Sequence, residues 1–406
     1  MPLVIRMRLL LSCILALNLT VASAEPIGAR SRTDTLQIYS EILAEEREIY
    51  VLAPEDFDPA GEGYTIVYVL DGEWSFPLVS SYLDYLSRWN RVPNLVVTGA
   101  RNVDRNRDYI FAEDPSFPGT GGADQFRRFV AEEWSPFVEE KYNGNGKRIL
   151  IGHSFGGSFA LYSMMTDLGF FDAYIAIGSS TWVAQRGLFD VAEEFLGEPL
   201  PKKIFLYMAV AEADGGATVP DGIAFAELFA EEPNEDVEFY FEVIDETNHF
   251  TAVLPALFSA IEKLYPTWDM DREVEDIVLN QGADGLDRWF IEKAASLGFR
   301  FTPPMMELEF LAIKLAGSGR GRAAEILVEK LLERNPESFT TLYALGLVYG
   351  RQGRYREAVE PIEKAAQLAR KAGETPTLIA RYERAVERTR ELMAEQEPAS
   401  DENELN

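Results

Sequence analysis

Two patterns of hydrophobic positions divide the chain. From residue 33 to about 265, short apolar runs alternate with longer amphipathic stretches, whereas from about residue 268 only helical periodicity remains. Strands that alternate with helices favour a mostly parallel sheet covered by helices on both faces. The sequence therefore predicts an α/β domain followed by an all-α domain.

The predicted strands are apolar runs rich in β-branched and aromatic residues. They cover 46–54, 64–72, 94–100, 147–153, 173–178, 203–211 and 237–244. The predicted helices between them cover 76–89, 122–142, 157–168, 220–231 and 253–265. The two earliest strands are compatible with an antiparallel hairpin at the edge of the sheet.

A repeat of 34 residues appears in the second region, which is the length of a tetratricopeptide repeat. Leu345, Gly346, Ala358 and Ile362 fall at the characteristic spacing, and Leu311, Ala324 and Val328 fall one period earlier. Small residues at Gly346 and Ala358 let paired helices approach closely. An ordinary helical bundle is the alternative.

The first 24 residues have the pattern of a secretory signal peptide. Arg6 and Arg8 precede an apolar run that ends in the small-residue sequence Ala22-Ser23-Ala24. This order of basic, apolar and small residues is typical of a cleaved signal, and the run is short for a membrane span. Cleavage would also remove Cys13, the one cysteine. We expect a periplasmic or secreted protein without disulfides and without stable membrane insertion.

Charge and composition exclude several classes of function. The formal net charge is -29, from 67 acidic and 38 basic residues, and such a surface repels nucleic-acid phosphates and anionic lipid. The chain contains two histidines and one cysteine, which is too few for a zinc site of the Cys and His type. We therefore expect no nucleic-acid partner, no metal site and no cofactor.

The segment Gly152-His153-Ser154-Phe155-Gly156 carries the strongest chemical signal. It follows the predicted strand 147–153 and opens the predicted helix 157–168. This is G-x-S-x-G in the strand, turn and helix context of a nucleophile elbow. Ser154 is the predicted nucleophile, and small residues at 152 and 156 are needed to avoid a clash. His153 is expected to leave the elbow on the opposite side and to serve in packing.

A serine nucleophile needs a base and an acid that orients it. His249 is the candidate base, since it follows the strand 237–244 and the only other histidine is His153. Asp214 and Glu212 both follow the strand 203–211, and either gives the order serine, acid, histidine of an α/β-hydrolase. Asp214 is preferred, and Glu212 is the alternative.

The backbone amides of Phe155 and Gly72 are the predicted oxyanion hole. Gly72 follows the strand 64–72, where a plain tight turn is the other interpretation. Trp182 is a candidate wall of the substrate pocket, or a core residue. Three arginines (Arg101, Arg105 and Arg107) could grip an anionic substrate, but pairing with Asp104, Asp108 and Glu113 is favoured.

These residues resemble a known family. The segments YVLDGEWSF, RNVDRNRDY, IGHSFGGSFALY and IGSSTWV are similar to the putative-esterase branch of the α/β-hydrolases. That branch includes catecholate-siderophore esterases, feruloyl esterases, S-formylglutathione hydrolase and the mycolyltransferases. The resemblance covers about residues 33–370 and is closest to the exported bacterial group with a tetratricopeptide tail. It implies Ser154 as nucleophile, His249 as base and Asp214 as acid. The chain departs from the family in having Ala211 where Gly is common, and Asp rather than Glu at position 214.

The predicted function is an exported serine hydrolase that cleaves a small-molecule carboxylic ester through an acyl-enzyme. The alternatives are an acyltransferase with the same triad, and a scaffold that binds a protein partner or braces the hydrolase through the repeats. The charge disfavours a highly anionic substrate such as an iron-free catecholate siderophore. The predicted organisation is a signal peptide (1–24), an esterase domain (25–267), a helical linker (268–304), repeats with a capping helix (305–396) and a disordered tail (397–406).

Overall fold

The computed structural model describes residues 32–55, 57–61, 63–89, 91–265, 270–297 and 305–396. The predicted signal peptide and the predicted tail both fall outside these residues. Within the described part of the chain, no helix combines the length and apolar character that crossing a bilayer requires.

Eight strands form one sheet, in the order β1-β2-β4-β3-β5-β6-β7-β8. β2 runs antiparallel to both β1 and β4, and the other neighbouring pairs are parallel, which confirms the predicted mostly parallel sheet. The strands are β1 (Arg32–Ser40), β2 (Glu45–Ala53), β3 (Tyr64–Val69), β4 (Leu95–Ala100), β5 (Gly144–His153), β6 (Ala173–Ile177), β7 (Ile204–Ala211) and β8 (Val237–Ile244).

The expected hairpin between the strands near 46–54 and 64–72 is wrong. β2 pairs with β1 and β4, while β3 lies between β4 and β5. The physical reason is burial: all but the first residue of β3 is buried, as a central strand requires. β1 is absent from the sequence prediction because its alternating half-buried and exposed residues give it only a weak apolar signal.

Helices cover both faces of the sheet. On one face, α1 (Gly72–Arg88) and α9 (Val253–Leu264) bury Phe76, Leu83 and Leu257 against the strands. The other face carries the larger core, to which helices between β4 and β8 contribute. These helices are α2 (Arg105–Tyr109), α3 (Ala123–Phe129), α4 (Ser135–Lys141), α5 (Phe155–Thr166), α7 (Leu188–Leu196) and α8 (Thr218–Glu231).

Two local irregularities occur among the helices of the α/β domain. The predicted helix 122–142 contains a π-helical turn over Val130–Trp134 that joins α3 to α4. In that turn the carboxylate of Glu133 accepts the backbone N–H groups of Glu41 and Ile42 and so holds the β1–β2 turn. The short segment α6 (Val183–Arg186) has positive φ at its last three residues, which makes it a left-handed turn.

Helical pairs make up the C-terminal region. α10 (Met270–Leu297) changes direction at Gly282, where φ is 67°. The remaining helices are α11 (Met305–Gly317), α12 (Gly321–Arg334), α13 (Phe339–Arg351), α14 (Tyr355–Lys371) and α15 (Pro376–Gln396). α13 begins 34 residues after α11, and α14 begins 34 residues after α12, as positions 305, 339, 321 and 355 show. An added Cβ at Gly346 would lie 2.2 Å from Ile362 Cγ1, so α13 and α14 are in close contact there.

Candidate active site

The turn between β5 and α5 holds Ser154 in a strained conformation. Its φ is 60° and its ψ is -122°, values that an L-residue adopts only when its surroundings impose them. The Ser154 N–H donates to Ile177 O at 2.9 Å, and this bond fixes the turn against the end of β6. Ser154 is partly exposed at the carboxyl edge of the sheet, where parallel α/β folds place their ligand sites.

Glycines make this turn sterically feasible. A Cβ at Gly152 would lie 2.1 Å from the carbonyl oxygen of Gly156, an impossible contact. A Cβ at Gly156 would lie 3.3 Å from Asp71 Oδ2, and one at Gly157 would lie 2.5 Å from Ser179 Oγ. The requirement at position 157 is additional to the two that the motif predicts, and it arises from contact with the segment after β6.

His249 and Asp214 are in direct contact. His249 Nδ1 lies 2.6 Å from Asp214 Oδ2, and the Asp214 side chain is 6% exposed. Since an ionised carboxylate only accepts, Nδ1 carries the hydrogen and the His249 Nε2 of the neutral ring is left to take up a proton. This arrangement is what a general base requires.

Glu212 has a different partner. Its Oε2 accepts the backbone N–H of Glu246 at 2.7 Å, and the φ of Glu246 is 55°. The two candidate acids therefore separate: Asp214 contacts the imidazole of His249, and Glu212 holds the loop that leads to His249.

Gly178 lies against the imidazole of His249. A Cβ at this position would come within 3.4 Å of His249 Cε1 and Nδ1. Gly178 directly follows Ile177, whose carbonyl accepts the N–H of Ser154. The last residue of β6 thus contacts the elbow and the glycine after it contacts the imidazole, so the fold brings Ser154 and His249 to one place.

The loop after β3 is more than a tight turn. Asp71 has φ 54° and ψ 50°, and its N–H donates to the hydroxyl of Tyr109 at 2.9 Å. A Cβ at Gly72 would lie 2.6 Å from Ala100 O, so no side chain fits there. Gly72 begins α1 and Phe155 begins α5, and the first N–H groups of a helix lack intrahelical acceptors. Both predicted oxyanion donors therefore lie at helix N-termini.

Arg105 joins this loop to the elbow. Its Nε donates to Asp71 Oδ1 at 2.6 Å, its Nη2 donates to Asp71 Oδ2 at 2.9 Å, and Nη2 lies 3.3 Å from His153 O. Burial lowers the Arg105 pKa, but the Asp71 carboxylate, together with Tyr109 and Glu73, raises it by more, so the pKa lies above its usual value. Asp71 is not among the carboxylates that the sequence predicts as partners of Arg105, because it lies 34 positions earlier in the chain.

The other two arginines of the cluster also pair with carboxylates. Arg107 contacts Asp108, as predicted, and also Glu45. Arg101 lies 3.6 Å from Glu48 and is 60% exposed. The prediction that these arginines form structural ion pairs is confirmed for Arg107 with Asp108. The further partners, Glu45 for Arg107 and Glu48 for Arg101, lie in β2.

Aromatic side chains surround the elbow. Phe155 has Phe117 at 5.2 Å and Trp182 at 6.3 Å between ring centroids, and the Trp182 indole nitrogen is buried without a hydrogen-bond partner. Trp74 and Phe250 are 65% and 78% exposed, and each adjoins the site: Trp74 faces Arg105, and Phe250 lies 5.3 Å from His249. Neither of these two is predicted from the sequence, although each lies within two residues of a predicted site residue.

His153 occupies a different position from the one predicted. It packs, as expected, but its ring lies 4.5 Å from the ring of His249.

No group of three or more His, Cys, Asp or Glu residues suited to a metal ion occurs in the described part of the chain.

The sheet order and the strand–turn–helix serine define this class of protein: the fold is that of an α/β-hydrolase. Comparison with known proteins agrees with this fold. The model of the family described as "Putative esterase" matches residues 40–193.

Three similar proteins are esterases or hydrolases by description. The siderophore enterobactin esterase of Emericella nidulans is 42% identical over 79 residues, 19% of this chain and 26% of that protein. Ferri-bacillibactin esterase BesA of Bacillus subtilis is 29% identical over 139 residues, 29% of this chain and 48% of that protein. The crystal structure of an IroE-like serine hydrolase from Shewanella oneidensis has a TM-score of 0.59 at 25% identity, covering 75% of this chain and all (100%) of that one.

The chain spans between about a quarter and about a half of the length of these two curated relatives, at 26% and 48%. The matching family and both curated relatives are described as esterases.

Proposed function

We propose that this protein is a serine hydrolase that cleaves a carboxylic ester of a small molecule through an acyl-enzyme. The observation that carries the proposal is the contact of His249 Nδ1 with Asp214 Oδ2 at 2.6 Å, beside a serine held at φ 60°. A tautomer fixed in this way leaves Nε2 available to remove a hydroxyl proton.

In the first half of the reaction, Ser154 Oγ attacks the ester carbonyl carbon and its proton passes to His249 Nε2. The carbonyl oxygen becomes an oxyanion, which the N–H groups of Phe155 and Gly72 stabilise. The carbon–oxygen bond to the leaving alcohol then breaks, and that alcohol takes the proton from His249. The acyl group is left on Ser154.

In the second half, water attacks the acyl carbon and gives its proton to His249 Nε2. The same two amides hold the second oxyanion. The bond to Ser154 Oγ breaks, the serine recovers its proton from His249, and the carboxylic acid leaves. Asp214 stays ionised throughout and stabilises the imidazolium that forms in each half.

Arg105 supports this chemistry through Asp71. Its two hydrogen bonds to the Asp71 carboxylate favour the left-handed conformation at Asp71, and that conformation sets the direction of the next N–H, on Gly72. A preorganised donor of this kind needs no rearrangement as the oxyanion forms.

The substrate class follows from the walls of the site. Phe155, Trp182 and Phe117 form one aromatic wall, and Trp74 and Phe250 are exposed at its rim. These walls suit an ester with apolar or aromatic groups. The Emericella nidulans relative is described as a siderophore esterase, so siderophore esters are the first natural substrates to test. The net charge of -29 favours a substrate of low net charge over a polyanionic one.

The test compares the parent protein with Ser154→Ala. Each is treated with a fluorophosphonate probe and with p-nitrophenyl acetate, and each is checked by circular dichroism. We expect labelling and turnover in the parent only, with both proteins folded. Turnover in Ser154→Ala equal to that of the parent would refute the proposal. An acyltransferase would be recognised by a new ester when an alcohol acceptor is added.

We further propose that α11 to α14 are two tetratricopeptide-like repeats that brace the hydrolase domain. The Arg91 guanidinium donates to Glu307 at 2.8 Å, which ties the segment before β4 to α11. Within the helical region, Thr341 donates to the buried Glu309 at 2.6 Å, a contact between α11 and α13. In Arg91→Met we expect the helical region to unfold at a lower temperature. Unchanged unfolding together with capture of a protein partner would favour the scaffold alternative.

Export through a signal peptide over residues 1–24 is also proposed, on the sequence pattern described above. Edman sequencing of the protein recovered from a periplasmic fraction should begin at Glu25. Recovery of the chain from the cytoplasm with residues 1–24 still attached would refute export.

A further inference from the structure

The two histidines of the chain meet at one site through a backbone contact. His153 Nε2 lies 2.8 Å from the carbonyl oxygen of His249, a residue 96 positions later. The rings lie 4.5 Å apart at 44°, and a Cβ at Gly178 would come within 3.5 Å of both imidazoles. His153 therefore touches the main chain of His249 and also its ring.

The hydrogen-bond acceptor, the carbonyl of His249, identifies which nitrogen of His153 carries the proton. A carbonyl oxygen only accepts, so His153 Nε2 must carry a hydrogen. In the neutral ring that leaves Nδ1 without one, the opposite tautomer from that of His249. Burial, together with the neighbouring His249, lowers the pKa of His153 to about 4, so His153 is a neutral donor over the ordinary working range of pH.

The loop that carries His249 is also held by hydrogen bonds of its neighbours: the carbonyls of Thr247 and Asn248 accept the N–H groups of Ala213 and Ala252, and the Asn248 N–H donates to Thr251 Oγ1. Asn248 Oδ1 accepts the N–H groups of Phe250 and Thr251, and Glu212 accepts that of Glu246. On His249 itself, Asp214 holds the ring at Nδ1 and His153 holds the carbonyl. Two points of attachment, one on the ring and one on the main chain, fix both the orientation of the imidazole and its distance from the elbow.

We propose that His153 is a positioning residue: its Nε2–H holds the main chain of His249 so that the His249 imidazole faces Ser154. The inference rests on the proposed serine hydrolase. It assigns a role to the variable residue that precedes the nucleophile in G-x-S-x-G. Because His153 is the last residue of β5, the elbow itself sets the distance to the base.

The test uses a matched pair of variants, His153→Gln and His153→Met. The glutamine amide can place an N–H near the position of Nε2, whereas methionine has a similar length and no donor. A misplacement of about 1 Å costs about a hundredfold in rate. We expect kcat for p-nitrophenyl acetate to fall at least tenfold in His153→Met with KM within twofold, and to recover most of the way in His153→Gln. The rate of fluorophosphonate labelling should follow kcat.

Equal activity in the parent and in a folded His153→Met would overturn the proposal, and so would equal losses in both variants. A second measurement does not depend on whether the variants fold. The imidazole nitrogen spectrum of the parent labelled with ¹⁵N-histidine, with any affinity tag removed, should show His153 as the Nε2–H tautomer. An Nδ1–H tautomer for His153 would overturn the proposal.

The proposed function and the role of His153 are refuted by different outcomes. If the parent neither labels nor turns over ester, the proposed function fails. If the parent is active and Ser154→Ala is inactive, while His153→Met matches the parent, only the inference about His153 fails.

Discussion

Arg105 and Asp71 form a two-point ion pair beneath the proposed oxyanion loop. Arg105 Nε and Nη2 donate to the two carboxylate oxygens at 2.6 and 2.9 Å, and the Asp71 side chain is 2% exposed. Asn102 Nδ2 adds a third donor to Asp71 Oδ1 at 2.8 Å. A buried carboxylate is costly without such partners, so this pair couples the stability of the domain to the geometry of Gly72.

Breaking this pair should reduce stability and activity together. In Arg105→Met the Asp71 carboxylate stays buried without its cation, which costs about 3 kcal/mol in the free energy of unfolding. We also expect a lower kcat, because the Gly72 N–H loses its fixed direction. Urea unfolding and ester turnover measure the two effects.

The matched control for that variant is Arg128→Met. Arg128 pairs with Glu132 on the surface, with 47% and 52% of the two side chains exposed. Exposed pairs of this kind contribute little to stability, because solvent screens the two charges. If the two variants lost the same stability, the ion pair at Asp71 would have no special role.

Asp214 and Glu212 should differ sharply on substitution. Asp214→Asn leaves an amide that no longer fixes the Nδ1–H tautomer of His249, and the expected loss in kcat is about ten-thousandfold. Glu212→Gln should retain most of the activity, because Glu212 contacts the N–H of Glu246 rather than the imidazole. Steady-state assays of both variants measure the two losses in kcat. A larger loss in Glu212→Gln than in Asp214→Asn would make Glu212 the acid that orients His249.

His153 should make stability depend on pH. Its folded-state pKa is lowered from 6.5 to about 4 by burial, by His249 and by Arg105, against the opposing effects of Asp71 and the hydrogen bond to the His249 carbonyl. Between pH 6.5 and about 4 the unfolded chain binds a proton that the folded chain does not bind, so stability falls as pH falls. The loss from this group amounts to about 3 kcal/mol over that window.

Comparison with His153→Gln isolates this contribution, since glutamine does not titrate. Urea unfolding at several pH values between 4 and 7 should give a shallower dependence in the variant than in the parent. Parallel curves would mean that His153 does not lose its proton on folding.

Two glycines of α13 provide a test of helix packing in the repeats. Gly346→Ala would place a Cβ 2.2 Å from Ile362 Cγ1 and 3.0 Å from Ala358 O, and we expect a loss of about 1–3 kcal/mol in the free energy of unfolding. Gly350→Ala meets nothing within 4 Å and should stabilise the helix by about 0.5–1 kcal/mol. Thermal unfolding of both variants would show opposite shifts; shifts of the same sign would contradict the close contact of α13 with α14.

The hydrophobic pattern was sufficient to predict the class of the fold and most of the strands. A continuous apolar run such as β3 is a local property, because a strand buried on both faces needs apolar side chains in succession. The motif around Ser154 is also local: the turn, the glycines and the following helix occupy consecutive residues. The 34-residue spacing of the helices in the C-terminal region is equally visible in one dimension.

Contacts between distant segments were decided by the tertiary structure alone. The sequence places Asp214 and Glu212 after the same strand, and only the path of the loops brings one to His249 and the other to Glu246. The pairing of β2 with β4, of Arg105 with Asp71 and of His153 with the His249 carbonyl follows the same rule. Hydrophobic periodicity specifies which side of an element is buried, but the partner that a polar side chain meets depends on how the elements are assembled in space.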